Sequence, residues 1–301
     1  EDDCKTERTL RMIEVIDSKK PTPSKEAGKK SQGHWTVQVK TSDLKDAGTT
    51  AQVYLTIYGT NGHSNRLQLG KEGNPIDLFS AGKESTFQMD VGDIGKLTKL
   101  RLEHSNSGQK PDWHVDYLKL TDDDTQEMLV FYVDRWLALD KEDGQICREL
   151  PVVKIGSSSL PVLHYVLAVM TGHMESARMD HGSVYINMHG IHGDTGFREL
   201  TAPISKNRLP WQPGQEDIFI LEAVSIGRLK KIELKIEGNG GSKWYVQQVR
   251  VMEGKRAWTE TVFYCHKWLG TDKNLPLEFS VSDMRPSNDL IDALESIPKG
   301  L

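Results

Sequence analysis

Cysteine is scarce: Cys4, Cys147 and Cys265 are the only three in 301 residues, and each lies more than a hundred positions from the next. An odd count without Cys-x-x-Cys spacing suggests neither a disulfide framework nor a zinc knuckle, and fits a reducing, intracellular setting. Long apolar runs are missing as well. Nothing approaches the ~18–20 consecutive apolar residues of a membrane helix, and the acidic, polar N-terminus has no apolar secretory core, so no export address is expected in this segment. Strong charge of one sign is also absent. Lys and Arg number 13 against 19 Asp and Glu over residues 34–151, and 15 against 13 over residues 152–282. The first half is acidic and the second faintly basic, so neither is the positive body that phosphate-driven nucleic-acid binding requires. No Gly-x-Ser-x-Gly elbow, His-Glu-x-x-His pair or reactive Cys–His context occurs. Nucleophilic and metal-hydrolytic enzymes therefore have no visible machinery, and the chain is expected not to be an enzyme.

What is present is enough to fold. The hydrophobic fraction is 37% and there are seven tryptophans, too much burial-capable side chain for a disordered chain. The length predicts two domains, each with its own core. Residues 1–33 carry fifteen charges of mixed sign and the Pro21 to Ser24 breakers, the composition of a linker. From His34 the pattern turns to period two: Trp35, Val37 and Val39, then Val53, Leu55 and Ile57, then Leu100 and Leu102, then Val115, Leu118 and Leu120. Such alternation, punctuated by Gly, Asn, Asp and Ser clusters, predicts half-buried antiparallel strands in a sandwich or barrel.

The chain also repeats itself at an offset of 130–132 residues. His34-Trp35 through Thr41 lies over His164-Tyr165 through Thr171, and the Gly59-x-x-Gly62 turn over Gly190-x-x-Gly193. Gly95 to Leu100 matches Gly227 to Ile232, Trp113 matches Trp244, and Phe131-Tyr132 with Trp136-Leu137 matches Phe263-Tyr264 with Trp268-Leu269. An offset that drifts by so little over so long a stretch means one shared topology, with the differences confined to loops. The predicted boundaries are a charged linker over 1–33, a first domain over 34–151, a short linker over 152–161, a second domain over 162–282 and a connector over 283–301. Trp113 and Trp244 are expected to plug the space between two sheets. Trp136 and Trp268, in a shared aromatic-then-Trp-Leu context, are expected in the core as well.

At these blocks the sequence resembles the PLAT (lipoxygenase-homology, LH2) domain. The opening strand Trp35 to Thr41, the Ala47-Gly48-Thr49 loop followed by Val53-Tyr54-Leu55 and the Gly59 to Gly62 turn carry the likeness. So do Gly95-Lys96-Leu97, the His104 to Gly108 loop, Pro111-x-Trp113 and the Phe131 to Leu137 stretch with Arg148-Glu149-Leu150. The resemblance implies an all-β fold, two tandem PLAT-type antiparallel β-sandwiches of about eight strands each. Tandem copies without a catalytic body resemble the PLAT-repeat proteins of hair-cell stereocilia. That likeness implies a non-catalytic scaffold with cytoskeletal or membrane proteins as partners, and lipid headgroups as a further contact. It implies an intracellular place, at the cytoplasmic face of a membrane or in a cell projection such as the stereocilium. The rival reading is a calcium-modulated, lipid-targeting region of a lipoxygenase- or lipase-like enzyme.

Some PLAT domains bind calcium through loops at one end of the sandwich. The matching residues in the first copy are Asp43, Asp46, Asn61 and Asn106, and in the second His173, Glu175, Asp180, Asp194 and Asn239. Where the family places an acidic residue beside the Gly-Thr of the first loop, this chain has Thr50, and His181 in the second copy. With so few carboxylates any calcium affinity is weak, and the competing reading is ordinary turn residues bonding nearby backbone amides. Asp122-Asp123-Asp124 reads as a solvated hairpin tip and His189 and His192 as turn residues without the helix that would align a zinc pair. Gly238 to Lys243 lacks phosphate-loop spacing. Phe79 and Trp211 occupy matching loop positions and are expected to pack against the sandwich rather than insert into lipid, and Lys230, Lys231, Lys235 and Lys243 describe a solvated sheet face.

Overall fold

The computed structural model describes residues 29–70, 75–154, 158–201, 203–204, 209–238, 242–254, 259–270, 275–287 and 290. The alternation read from the sequence becomes strand pairing at β1 (His34–Thr41), which turns Trp35, Val37 and Val39 inward. The first sandwich continues through β2 (Val53–Gly59), β3 (Gly62–His63), β4 (Leu67–Leu69), β5 (Glu84–Asp90), β6 (Leu97–His104), β7 (Trp113–Asp122), β8 (Met128–Leu137) and β9 (Cys147–Pro151). One sheet has the order β5-β1-β7-β8; the other has β3-β2-β6-β9, with β4 on β2.

The second sandwich repeats this plan in β10 (Val162–Thr171), β11 (Ser183–Gly190), β12 (Gly193–Asp194), β13 (Arg198–Glu199), β14 (Glu216–Val224), β15 (Leu229–Glu237), β16 (Trp244–Glu253), β17 (Thr259–Leu269), β18 (Leu277–Ser280) and β19 (Asp283–Pro286). Its sheets run β14-β10-β16-β17-β19 and β12-β11-β15-β18, with β13 on β11. The all-β expectation holds, with somewhat more strands per copy than the eight expected. Helical elements with described bounds are only the turn Pro75–Leu78 and the 3-10 turn Glu175–Ala177.

Even the irregularities are duplicated. Register slips between Lys40 and Thr41 and again between Met170 and Thr171. A second slip falls at Tyr58/Gly59 and at His189/Gly190. Bulges of this kind bend a strand and re-aim its side chains, and here they sit at equivalent positions of both copies. Gly59 and Gly190 are glycines for one reason: a Cβ on either would meet the carbonyl oxygen of Ile94 or Ile226 at 2.1 or 2.2 Å.

Each copy has its own hydrophobic core. At the centre of the first, the fully buried Trp113 donates its Nε1 proton to Thr41 Oγ1 at 3.0 Å, and Phe79 packs edge-on with ring centroids 5.2 Å apart. The second copy repeats this, with Trp244 Nε1 donating to Thr171 Oγ1 at 3.0 Å and Trp211 edge-on at 5.0 Å. The indole plugs expected from the sequence are there, and Phe79 and Trp211 are buried packing residues as expected. Deleting such a buried aromatic costs ~3–5 kcal/mol.

Trp136 and Trp268 differ from expectation. Both are half-buried and lie outside the two cores. Period two explains it: Phe131, Val133 and Leu137 point inward, which places Trp136 on the opposite face, edge-on to His114 and beneath the Lys141 ammonium. The hairpin at Asp122 to Asp124 is present, but Asp122 is buried and its Oδ1 accepts the backbone N–H groups of Asp124 and Thr125. Pairing also continues beyond Ser282: β19 adds a strand to β17, and Leu290 packs on the outer face of that sheet against Val166, Ala168 and Met252. Cys4, residues 1–28 of the expected linker and the connector beyond Ser287 except Leu290 lie outside the described residues.

Candidate functional site

The structure separates the four residues singled out for calcium in the first copy. Asp43 and Asp46 sit in the loop between β1 and β2, and Asn106 follows β6 at the same end of the sandwich, since Val53 of β2 faces His104 of β6. Asn61 lies in the turn after β2, beyond Gly59, at the opposite end. One of the four is thus a strand's length from the others. A hollow of about 450 Å³ at the first end is lined by Asp46, Gly48, Thr49, Thr50 and Lys110 among others. Lys110 Nζ lies 3.5 Å from Asp46 Oδ1, so an ammonium already faces that carboxylate. Thr50, which stands where a carboxylate was expected, accepts the Lys110 backbone N–H at 3.0 Å. In the second copy Asp194 is nearly buried and is used elsewhere, as follows, and Asn239 lies outside the described residues.

A different site emerges where the two sandwiches meet. On β6 the outward residues Lys99, Arg101 and Glu103 alternate with the core leucines Leu100 and Leu102, and all three charged side chains are buried. Lys99 Nζ lies 2.8 Å from Glu149 Oε2 on β9 and donates to the Asp194 carbonyl of the second sandwich at 2.6 Å. The same Glu149 oxygen accepts the Val224 backbone N–H at 3.0 Å. Arg101 Nη1 donates to the Thr195 carbonyl at 2.9 Å. Gly196, at φ +58°, completes this turn; a Cβ there would fall 1.3 Å from Arg101 Nη1.

The seam extends on both sides. Arg198 of the second copy reaches Gln145 Oε1 at 3.3 Å, while Glu222 meets Arg135 at 3.6 Å and Arg148 at 3.4 Å. The buried Tyr58 hydroxyl points to Asp194 Oδ1 at 3.4 Å, and His63 Nε2 lies 3.6 Å from Asp194 Oδ2.

Burial alone disfavours the Arg101 charge, but the Glu103 and Glu149 carboxylates beside it oppose that, and its pKa stands above the usual value. Burial likewise opposes the Glu103 carboxylate, and Arg101 and Arg66 overcome it, so Glu103 is held below the ordinary carboxylate range. Desolvation is the leading cause that pushes the Tyr58 hydroxyl upward and the Cys147 thiol up to about 11. Arg101 and Glu103 are thus held in their charged forms, and the Cys147 thiol stays protonated at neutral pH.

Beside the seam a polar cleft of about 940 Å³ opens between homologous sheet faces. Thr56, Arg101 and Glu103 line one wall, and Tyr185, Glu233 and Lys235 the other. Asn187 and Glu233 both contact the His189 ring at 2.9 Å, which makes His189 part of a hydrogen-bonded wall. Among the described residues no three His, Cys, Asp or Glu side chains converge as a metal centre. Among the described residues, too, no helix is long and apolar enough to cross a membrane.

Sequence reasoning missed the seam. The sequence does not single out Lys99, Arg101 or Glu103, and of their counterparts Lys231, Glu233 and Lys235 the two lysines read as a solvated face; all three counterparts are only half-buried. No local signal distinguishes the two rows.

Comparison with known proteins agrees with this architecture. The chain is similar to human Lipoxygenase homology domain-containing protein 1, with 31% identity over 243 residues, 79% of this chain and 11% of that protein. It is similar to mouse Polycystin-1-like protein 3, with 36% identity over 111 residues, 36% of this chain and 5% of that protein. The chain thus spans about a tenth or less of the length of these relatives. Among solved structures, coral 8R-lipoxygenase aligns with 40% of this chain and 17% of its own at 24% identity and a TM-score of 0.35. The PLAT/LH2 domain model matches residues 35–147 and again 165–281, and with both sandwiches covered the chain belongs to the PLAT/LH2 domain family.

Proposed function

We propose that this chain is a non-catalytic scaffold segment, in which two PLAT domains locked through a charged seam present several binding faces at a fixed spacing. The observation that carries this reading is the buried Lys99–Glu149 pair, which reaches the backbone of the second sandwich through both Asp194 and Val224. Faces held in one geometry raise the effective concentration of the second contact once the first has formed, so weak faces suffice. The chain's likeness to Lipoxygenase homology domain-containing protein 1 supports cytoskeletal or membrane proteins as partners and an intracellular place, such as the stereocilium, beside a membrane.

A second reading has one observation in its favour. Leu44 in the first loop of copy one and Met174 in the matching loop of copy two are 50% and 47% exposed. Apolar loop tips of this kind enter lipid headgroups, and Asp46 with Asp43 beside Leu44 supplies oxygens for a weak calcium site in the first copy. The neighbouring Lys110 and the single carboxylate in the hollow keep such a site in the ~10⁻⁴–10⁻³ M range.

Cosedimentation separates the two. A scaffold pellets with filamentous actin and stays in solution with phosphatidylcholine or phosphatidylserine vesicles. Calcium-dependent pelleting with the vesicles, lost in Leu44→Asp, gives the chain to the lipid-targeting reading instead.

A further inference from the structure

Trp136 and Trp268, half-buried and outside both cores, belong to a constellation that the duplication repeats on the outer face of each sandwich. In the first copy His114 packs edge-on to Trp136 with ring centroids 5.1 Å apart, and Tyr117 packs edge-on to Tyr132 at 6.4 Å. Both pairs bridge β7 and β8 in register. The second copy keeps the plan, with Tyr245 edge-on to Trp268 at 5.4 Å and Tyr264 stacked on His266 at 6.3 Å.

A bulge separates the two pairs. Register slips between Val115 and Tyr117, and likewise between Val246 and Gln248. In the bulged strand Asp134 has φ +44° and His266 has φ +46°, a left-handed backbone that non-glycine residues rarely adopt. Two different side chains in one strained conformation show that the fold imposes it. The consequence is a spacing. Three residues of β7 carry the chain from His114 to Tyr117, about 10 Å at the rise of a strand, and one turn of a polyproline-II helix is about 9.3 Å.

The row is open to solvent. Tyr132 is 65% exposed, and Tyr264 is 46% exposed although β19 pairs with the same strand as far as Val262. A strand added at that end therefore leaves the tyrosine uncovered.

The two copies differ in charge. Asp116 and Asp134 occupy the bulge of the first copy, where the second has Gln247 and His266. Neither aspartate forms an ion pair among the described residues. The cations nearby are engaged: Arg135 meets Glu142, Asp143 and Glu222, and Lys40 donates to the Gly82 carbonyl. Lys119 lies two residues beyond Tyr117, past the aromatic pairs. Lys141 sits 3.5 Å from the Trp136 ring centroid and 2.9 Å from Asp112, which illustrates the chemistry this face accepts, a cation between an aromatic ring and a carboxylate.

We propose that the outer face of β7 and β8 in the first sandwich is a docking site for a proline-rich, basic segment of a partner protein in the polyproline-II conformation. Prolines three residues apart rest on the His114–Trp136 and Tyr117–Tyr132 pairs, and an Arg or Lys between them meets Asp116 and Asp134. Such a segment is already extended, so it loses little conformational freedom on docking to an aromatic-lined surface. The assignment deepens the scaffold reading by naming the chemistry of one partner segment, yet it uses the sheet opposite the seam. Peptide binding is read without actin, so either can fail without the other.

The probe is fluorescein-labelled Pro-Pro-Arg-Pro-Pro-Arg-Pro-Pro, titrated against the full chain by anisotropy. One control replaces each Arg by Glu, and a second, Gly-Ser-Arg-Gly-Ser-Arg-Gly-Ser, keeps the charge without the conformation. Saturable binding is expected below about 500 μM, weaker by about tenfold for both controls and for Tyr132→Ala. Asp134→Asn, which tolerates the same backbone, should weaken it several-fold, and Tyr264→Ala in the second copy should leave it unchanged. Circular dichroism melts of Tyr132→Ala and Asp134→Asn should match the parent. No saturation by about 500 μM, equal binding of the Gly-Ser peptide, or binding indifferent to both Tyr132→Ala and Asp134→Asn overturns the proposal. Pelleting with phosphatidylcholine vesicles that Tyr132→Ala abolishes also overturns it, by giving the face to lipid.

Discussion

Lys99 and Glu149, on adjacent strands of the first sandwich, form a buried ion pair at 2.8 Å whose two members each bond to the backbone of the second. An ion pair out of water is expensive unless its remaining valences are used. Here the ammonium takes the Asp194 carbonyl and one carboxylate oxygen takes the Val224 amide, while Glu149 Oε1 is buried without a hydrogen-bond partner among the described residues. The arrangement ties sheet stability to domain docking.

Removing one partner leaves the other charged and buried. Lys99→Met or Glu149→Leu alone should destabilise by ~3–5 kcal/mol. The double variant should cost clearly less than the sum of the two, because the stranded charge is gone. Urea denaturation of all four proteins gives the coupling energy, and additive costs would show that the pair does not act as a unit.

Gly196 tests the docking without touching a charge. Its positive φ and the 1.3 Å approach of a Cβ to Arg101 Nη1 leave no room for a methyl group. Gly196→Ala should displace the Arg101 guanidinium and open the seam. Small-angle scattering is expected to show a larger radius of gyration, with faster amide exchange at residues 194–196 while the two cores stay protected. An unchanged scattering profile would mean that the seam does not depend on this turn.

His104 supplies a pH dependence. It is buried, its Nε2–H donates to the Leu137 carbonyl at 2.9 Å, and its Nδ1 accepts the Asn106 N–H at 3.1 Å. That second bond requires the neutral ring. Desolvation is the leading cause that lowers its pKa below the usual 6.5. The folded state therefore binds this proton less readily than the unfolded state. Its contribution is fully present above pH 6.5 and is lost as pH falls below 6.5 and through the lowered folded value, at up to ~1.4 kcal/mol per pH unit. Denaturation of the parent and His104→Gln between pH 7.5 and 5 should show a slope that the variant reduces.

How much of this was legible before any coordinates depended on the range of the interaction. Trp113 and Trp244 could be read as plugs because the duplication marked them and their neighbours alternate with period two. The same period, applied strictly, places Trp136 outward, and the expectation of a core residue there weighed aromatic content over parity. Asn61 joined the calcium set by resemblance, although the strand Val53–Gly59 between it and the first loop already carries the chain to the far end. The seam is another matter. Lys99 and Lys231 stand in matching sequence, and only the docking of a distant turn, Asp194 to Gly196, buries one and leaves the other half-exposed.

Calcium distinguishes the two ends of the first sandwich. A ligand that binds only the folded chain raises its melting temperature in proportion to RT ln(1 + [L]/Kd). With Kd near ~1 mM, about 10 mM calcium adds ~1.4 kcal/mol, which for a domain of this size is a rise of several degrees. Asp46→Asn should abolish the rise, because Asp46 is the carboxylate of the hollow. Lys110→Met should increase it by removing the ammonium 3.5 Å away. Asn61→Ala should leave it unchanged, since that side chain belongs to the turn at the opposite end. A flat titration in the parent and in Lys110→Met would retire calcium from this copy, whereas a rise that survives Asp46→Asn would move the ion to another site.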